Sequence, residues 1–586
     1  MFNSMWSSLI KQNNFLTSML TPIIKAKKKN KVIQFYNLTD YDNWKNSTDS
    51  RKWDIKYYKG LGTSTTTEAK EYFKDMKQVF YEWNDEDKCK ESLDLAFNKK
   101  RADDRKQWLY NYNRNEIIDY KETRVSYSDF IDKELIHFSN YNIERSIPSL
   151  CDGLKTSTRK ILYCCFKKNL TKEIKVSQLS GYCSENSNYH HGEVSLQEAI
   201  IKMAQNFVGS NNINLLMPNG QFGSRLAAKD SASPRYIFTE LNPLTLLLFN
   251  KNDNKILKYL DDDGFPIEPQ FYIPILPVIL INGSIGIATG FSTNIPSYNP
   301  LDIIKVIKKM LKNKTANIEV EELIPWYRGF TGKIIKVNNK LMSLGIYKRI
   351  SPNKIQITEL PVGFWTNDYK EFLEKYMDKN PKILKDFESH YTESTVNFIL
   401  DFYDGKTNDL LKPDTKTGLT KFEKEFKLFS SDNFSTTNMH MYNDEGKIIK
   451  CDTAIEIIRL FYNVRIKYYQ MRKDYMIDEL NKELIYLDAK IKFILDIINK
   501  KLIVTDRKKV DIENYLIENK YPTLDDKYDY LIRMPIYNLT YEKKEELLKE
   551  VNDKKELLEE ITNISIEDMW LNDLNEFEKQ YKQVYK

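Results

Sequence analysis

At 586 residues the chain is too long for one core and predicts three or four domains. Its 89 Lys and Arg nearly balance 83 Asp and Glu, so a net charge of +6 is only a weak pointer to nucleic acid and any basic surface must be local. The 6 cysteines form no C-x-x-C pair and no His/Cys cluster of zinc spacing, which reads as reduced thiols of an intracellular protein, and no apolar run is long enough to span a bilayer.

In chain order, the stretch from Met1 to about Cys89 mixes short apolar runs with loops. Within it, Lys56 to Ser64 leads into a helix predicted from Thr66 to Phe80. Lys59, Gly60 and Gly62 can bring an ammonium and backbone amides to a phosphate, although a glycine pair alone usually makes only a turn. Phe97 to Tyr110 predicts a basic helix whose Lys99, Lys100, Arg101, Arg105 and Lys106 face either solvent or DNA. Asp129 to Leu170 reads as helix, turn, helix, with Lys155, Arg159 and Lys160 clustered at the positive end of the second helix, an arrangement suited to a DNA backbone.

Asn188 to Glu193 then opens a helix with Leu196, Ile200, Met203 and Phe207 as its buried stripe. His190 and His191 are adjacent in sequence with no third ligand nearby, so phosphate contact by one of them fits better than a metal pair. The glycine-bearing loop Pro218 to Arg225 ends in another cation. In Ser231 to Glu240, Pro234 keeps Arg235 and Tyr236 out of a helix interior. A phenol with a pKa of about 10 is a poor nucleophile at neutral pH, and Arg235 supplies the neighbouring charge it needs. Taken alone, that dipeptide reads as an ordinary tyrosine.

Asp261-Asp262-Asp263-Gly264 resembles a magnesium loop but reads as solvated. Ile273 to Ile281 predicts a buried strand bracketed by prolines, delivering a loop in which Gly283, Gly286 and Gly290 surround Ile287. Residues from about 300 to 436 mix strands and helices and carry no separate chemistry. Leu480, Leu484, Leu487, Ile491, Ile494 and Ile498 alternate spacings of four and three, a coiled-coil seam. A second charged helix starts near Tyr541 with Leu547, Val551, Leu558 and Ile561 on one face, and Lys501 to Pro535 forms a small insert between the arms.

The motifs Lys59 to Thr63, Ile147 to Lys155, Tyr189 to Glu193, Asn206 to Asn212, Arg235-Tyr236-Ile237 and Asn282 to Ile287 arrive in family order. Over almost its whole length the chain resembles the breakage and reunion region of type II DNA topoisomerases of the eukaryotic kind, shared with large DNA viruses. The resemblance implies a multidomain α/β and α fold: the C-terminal part of a TOPRIM-like domain with a linker over 1–100, a winged-helix DNA-binding domain over 101–270, an α/β tower over 271–435, and a coiled coil with an exit gate over 436–586. It makes Tyr236 the nucleophile that joins the 5′ end of a cut strand during a transient double-strand break for duplex passage. Arg235 and His191 would stabilise the transition state. Lys59, Lys155, Arg159, Lys160, His190 and Arg225 would contact DNA, and Ile287 would wedge between base steps.

The implied partners are double-stranded DNA and a second copy of the chain, with no membrane. Mg2+ is expected on acidic residues upstream of Met1, so no metal ligand is assigned here. ATP is expected for the full enzyme and not for this chain, which has no G-x-x-x-x-G-K-[ST] loop. Thr156-Ser157-Thr158 stands where relatives commonly carry proline and glycine, which leaves the exact turn open. Also open at this point are a fragment, a split subunit whose partner chain brings ATPase and metal site, and a non-catalytic dimeric DNA scaffold. The place of action would be the nucleus or a viral replication site in the cytoplasm.

Overall fold

The computed structural model describes residues 2–585 except 59, 121, 190, 263, 264, 338, 339, 416 and 433. The chain divides into two compact units, Met1–Ile147 with Ile285–Thr293, and Pro148–Ser284 with Asn294–Lys586. The sequence placed its first boundary near residue 100, and the two compact units divide at Ile147.

The first unit carries two small sheets. Ile24–Lys28 pairs antiparallel with both Lys31–Phe35 and Asp54–Tyr57, burying Ile24 and Ala26. Gln78–Glu82 runs between Thr17–Met19 and Arg124–Ser126, antiparallel to one and parallel to the other. That pairing shortens the helix predicted to Phe80: it ends at Asp75, and the residues beyond enter the sheet. Its start is set by a capping box between Thr65 and Glu68.

The basic helix predicted over Phe97 to Tyr110 is also divided, into the end of Glu86–Phe97 and a new helix Ala102–Tyr110. Arg101 pairs with Glu91, Asp94 and Asp104, Arg105 donates to the carbonyls of Leu95, Ala96 and Asn98, and Lys106 meets Asp103. Arg101 and Arg105 hold the helix junction together.

In the second unit one apolar core runs from Leu150 to Ile318 and resumes with Met439–Tyr469 and Trp570–Tyr581. A separate core from Ile355 to Leu428 lies under a four-stranded antiparallel sheet in the order Ile346–Arg349, Lys354–Glu359, Phe398–Phe402, Leu384–Ser389. Residues from Tyr272 to Ile318 belong to the first of these cores.

Ile273 to Ile281 is buried, as expected, but is not a strand. Pro274 and Pro277 remove ladder donors, and the segment runs irregularly into the short helix Val278–Ile281. The amide of Ile275 donates to the carbonyl of Leu248, and its own carbonyl accepts from Trp570 Nε1 at 2.9 Å.

The 45-residue helix Ala454–Ile498 packs its Leu484, Leu487, Ile491 and Ile494 on Leu547 and Val551 of helix Tyr541–Asn563. Between these arms a compact insert buries Leu502, Ile512, Leu516 and Leu531 against Phe493. The returning helix Ile566–Val584 brings Trp570, Leu574 and Phe577 back to the main core. Among the described residues no helix is long and apolar enough to cross a membrane.

Candidate active site

Tyr236 sits on a turn closed by its own amide donating to the Ser233 carbonyl at 2.9 Å. Helix Val176–Asn186 starts without a side-chain cap. Its first amides, of Val176 and Ser177, donate instead to the carbonyls of Ile237 and Pro234, both at 3.1 Å, so the tyrosine turn caps the helix. Ile237 is buried against Gly220, where a Cβ would meet its Cγ2 at 3.0 Å. Phe238–Thr239 pairs with Ile174–Lys175. With Ile237 turned inward and both flanks held, Tyr236 is left 67% exposed, and the Arg235 guanidinium lies 5.0 Å from its ring.

The Asp152-Gly153-Leu154-Lys155 turn is built around a fully buried carboxylate. Asp152 accepts from the amides of Leu154 and Tyr272, each at 2.9 Å, and from Arg159 Nε at 2.7 Å and Nη2 at 3.1 Å. Gly153 is obligatory, with φ at +69° and an added Cβ only 2.4 Å from the Ile279 amide nitrogen. Burial pulls the pKa of Arg159 down, but the pairing with Asp152 outweighs it and the net shift is upward.

Lys160 Nζ donates to Glu268 at 2.9 Å and to the Ser187 carbonyl at 2.5 Å. Arg159 and Lys160, expected on DNA, are each paired with a buried acid and brace the turn. Lys155 is the N-cap residue of helix Thr156–Lys167. It lines a cavity of about 350 Å³ with Ser157, Thr158 and Lys202, and burial, then the Lys202 charge, lower its pKa.

His191 is half-buried, its ring 5.3 Å from that of Tyr189, and it stands just before helix Glu193–Ala204, whose start has no side-chain cap. The helix stops before Phe207, which contacts Trp365 instead of completing the stripe. His190 and Lys59 lie outside the described residues. In the first unit Glu68 accepts from Lys56 Nζ at 2.8 Å, from the Thr65 amide at 2.7 Å and from the Tyr58 hydroxyl. Burial raises the Glu68 pKa, but these hydrogen bonds prevail and hold it at about 2.

Arg225, expected on DNA, is buried, with its guanidinium donating to the carbonyls of Phe364 at 2.7 Å and Leu360 at 3.2 Å and to Glu359 at 3.4 Å.

Ile287 ends the strand Ser284–Ile287 of a two-stranded hairpin with Ser292–Ile295 and is 82% exposed. Its position in the first unit depends on Gly286, where a Cβ would fall 2.2 Å from the Ser146 carbonyl oxygen. The Thr289 amide donates to Asn142 Oδ1 at 3.0 Å, fixing the hairpin tip on helix Ile136–Ser146.

No magnesium ligand is assigned here. Asp262 is engaged by Asn188 Nδ2 at 2.8 Å, Asp263 and Gly264 lie outside the described residues, and among the described residues no three His, Cys, Asp or Glu side chains converge to hold a metal ion. Sequence reasoning missed Asp152 and Glu268 as partners of the cations. The Asp-Gly pair signalled a turn, but nothing local signalled burial.

The family model for DNA gyrase/topoisomerase IV matches residues 145–575, and that of the C-terminal associated domain of TOPRIM matches 19–143. The chain belongs to the type II DNA topoisomerase family. The two matches meet close to the unit boundary at Ile147. DNA topoisomerase 2 of Plasmodium falciparum is 42% identical over 99% of this chain and 43% of its own length, and that of Arabidopsis thaliana is 40% identical over 99% and 42%. The chain thus spans about two fifths of these relatives. A solved structure, the Plasmodium falciparum topoisomerase II DNA-binding, cleavage and re-ligation domain, matches with a TM-score of 0.81 and 42% identity, covering 99% of this chain and 82% of that one.

Proposed function

We propose that this chain is the DNA-binding, cleavage and re-ligation part of a type II DNA topoisomerase, with Tyr236 as its nucleophile. The observation that carries the reading is Tyr236 itself, an exposed phenol on a turn fixed from both sides, with the Arg235 guanidinium 5.0 Å from its ring. The phenol oxygen attacks a DNA phosphorus, the bond to the 3′ oxygen breaks, and the 5′ end stays on the tyrosine. The phosphodiester energy is conserved in that ester, and reversal reseals the strand. Arg235 and His191 stabilise the added negative charge, as pre-placed donors do, and Lys59, Lys155 and His190 contact the DNA backbone.

In this reading the core around helices Thr156–Lys167, Val176–Asn186 and Glu193–Ala204 is the winged-helix domain, the sheet over Ile355–Leu428 the tower, and the long helices the arms of an exit gate. Mg2+ and ATP, which the resemblance implies for the full enzyme, would be held by residues outside this chain. The substrate is intracellular duplex DNA, nuclear or at a viral replication site. The test combines the protein with duplex DNA, magnesium and a chain carrying the acidic metal-binding residues. The expected product is protein joined to DNA 5′ ends, and absence of any adduct overturns the reading.

Two further expectations accompany it. Ile287→Ala weakens DNA bending in an end-to-end fluorescence transfer assay, while affinity stays within about twofold, because the side chain wedges without contacting phosphate. Unchanged bending removes Ile287 from that role. At the tip of the arms, Ile536 and Tyr537 are among the most exposed apolar side chains, and a second copy is the proposed occupant. Ile536→Asp with Tyr537→Asp should weaken dimerisation at least about tenfold by sedimentation, since a charge in an apolar interface stays unpaired.

A further inference from the structure

Arg225 stands between the segment that leads to Tyr236 and the four-stranded sheet domain. We infer that it is a positioning residue, which holds the Tyr236 segment in register with the four-stranded sheet domain and so sets the rate of cleavage without touching DNA. The inference rests on the reading of Tyr236 as nucleophile.

Every polar part of Arg225 except Nε is engaged with that domain. Its amide donates to the Glu393 carbonyl at 3.0 Å, and its carbonyl accepts from the Thr366 amide at 3.3 Å and the Thr366 hydroxyl at 3.2 Å. The next carbonyl, of Leu226, accepts from the Asn367 amide at 3.0 Å. The guanidinium fork spans the carbonyls of Phe364 and Leu360, with Glu359 behind it and the Trp365 ring 5.7 Å away. Nε is buried without a partner, so the site is shaped for the two terminal nitrogens of the fork. A lysine ammonium keeps the charge but cannot reproduce that planar, two-pronged geometry.

On its other side Arg225 belongs to a closed loop that leads to the tyrosine. Ser224 donates through its amide and hydroxyl to Asp230, the amide at 2.9 Å. Gln205 Nε2 ties the carbonyls of Phe222 and Ala228, both at 2.9 Å. Gly223 leaves no slack, since an added Cβ would lie 2.7 Å from the Ala228 oxygen. The loop closes where the Ala232 amide meets the Gln221 carbonyl at 2.9 Å, just before the turn that carries Tyr236. Loop and sheet domain are thus braced together at Arg225, and a displacement there passes to the phenol through hydrogen bonds that have no play.

Positioning and DNA binding predict different kinetics. A misplaced nucleophile lowers the rate of the chemical step by an order of magnitude or more at unchanged affinity, whereas loss of a phosphate contact weakens affinity. The experiment measures single-turnover adduct formation and DNA affinity for Arg225→Lys, Thr366→Val and Tyr236→Phe, each in the full chain supplied with the metal-bearing chain and magnesium. Arg225→Lys is expected to slow adduct formation at least tenfold with the dissociation constant within twofold. Thr366→Val, which removes one hydrogen bond and keeps the shape, is expected to slow it two- to fivefold.

An Arg225→Lys rate within twofold of the parent, or rate and affinity falling by the same factor, overturns the inference. If Arg225→Lys does not fold, Thr366→Val decides, and an unchanged rate there overturns it. Adducts that persist in Tyr236→Phe sink the nucleophile reading instead, so the two failures are separable.

Discussion

Tyr236→Phe is expected to abolish the covalent protein–DNA adduct and to leave the fold intact. The substitution removes a single oxygen from a side chain that is 67% exposed, so its effect on stability stays within about 0.5 kcal/mol. The ring remains beside Arg235, and the capped turn is held by backbone groups and by Ile237, none of which the phenol oxygen supports. Without that oxygen there is nothing to form the phosphotyrosyl bond, and loss of a nucleophile costs at least about four orders of magnitude in rate. DNA carrying a 5′ label, trapped with denaturant and resolved by size, should show no protein-linked band above background, with affinity unchanged. A residual band transfers the nucleophile's role to another residue.

Asp253→Ala is expected to be the most destabilising single substitution at the root of the long arms. Asp253 is buried between two buried arginines of helix Ala454–Ile498. It accepts from Arg472 Nε at 2.7 Å, Arg472 Nη2 at 2.6 Å and Arg465 Nη2 at 2.9 Å. Asp573, on the returning helix, shares Arg472 at 2.8 Å and accepts from the Tyr469 hydroxyl at 2.7 Å. Both guanidinium groups also lie over the Tyr469 ring, at 4.0 Å and 4.5 Å.

Removing the shared carboxylate leaves one cation with no acid partner and the other with half its pairing. Breaking a buried pair from one side costs about 3–5 kcal/mol, a large part of a domain stability of about 5–15 kcal/mol. Urea unfolding should show that loss for Asp253→Ala and a smaller one for Asp253→Asn, which keeps an acceptor. Adding Arg472→Met to Asp253→Ala should recover part of the loss, since the stranded charge goes with it. A loss below about 1 kcal/mol would mean that water reaches the arginines and that the pairing is not what holds the arms to the core.

Much of the fold was legible before any coordinates, and the readable parts share a cause. The seam from Leu484 to Ile494 follows from spacing along one helix, so the partner face on Leu547 and Val551 was implied by periodicity alone. The glycines at 153 and 286 mark places where an added Cβ strikes backbone within 2.4 Å and 2.2 Å, a constraint written into the residue type. Pro234 kept Tyr236 out of a helix, and the turn is where that reasoning put it. In each case the residue determines its own neighbourhood.

The charges behaved differently. Lys155, Arg159, Lys160 and Arg225 looked alike in the sequence as cations near Tyr236, and three of them meet buried acids. Lys160 meets Glu268 across 108 positions, and Arg225 meets Glu359 across 134. The bond from Ile275 to Trp570, which helps replace the expected strand, spans 295. By itself, then, the amino-acid order determined the helices, the forced turns, the exposed tyrosine beside an arginine and the family to which they belong. Only the tertiary structure decided which acids these cations meet. The free energy of a charge depends on the carboxylates, carbonyls and water within a few ångströms of it, and those neighbours come from distant parts of the chain.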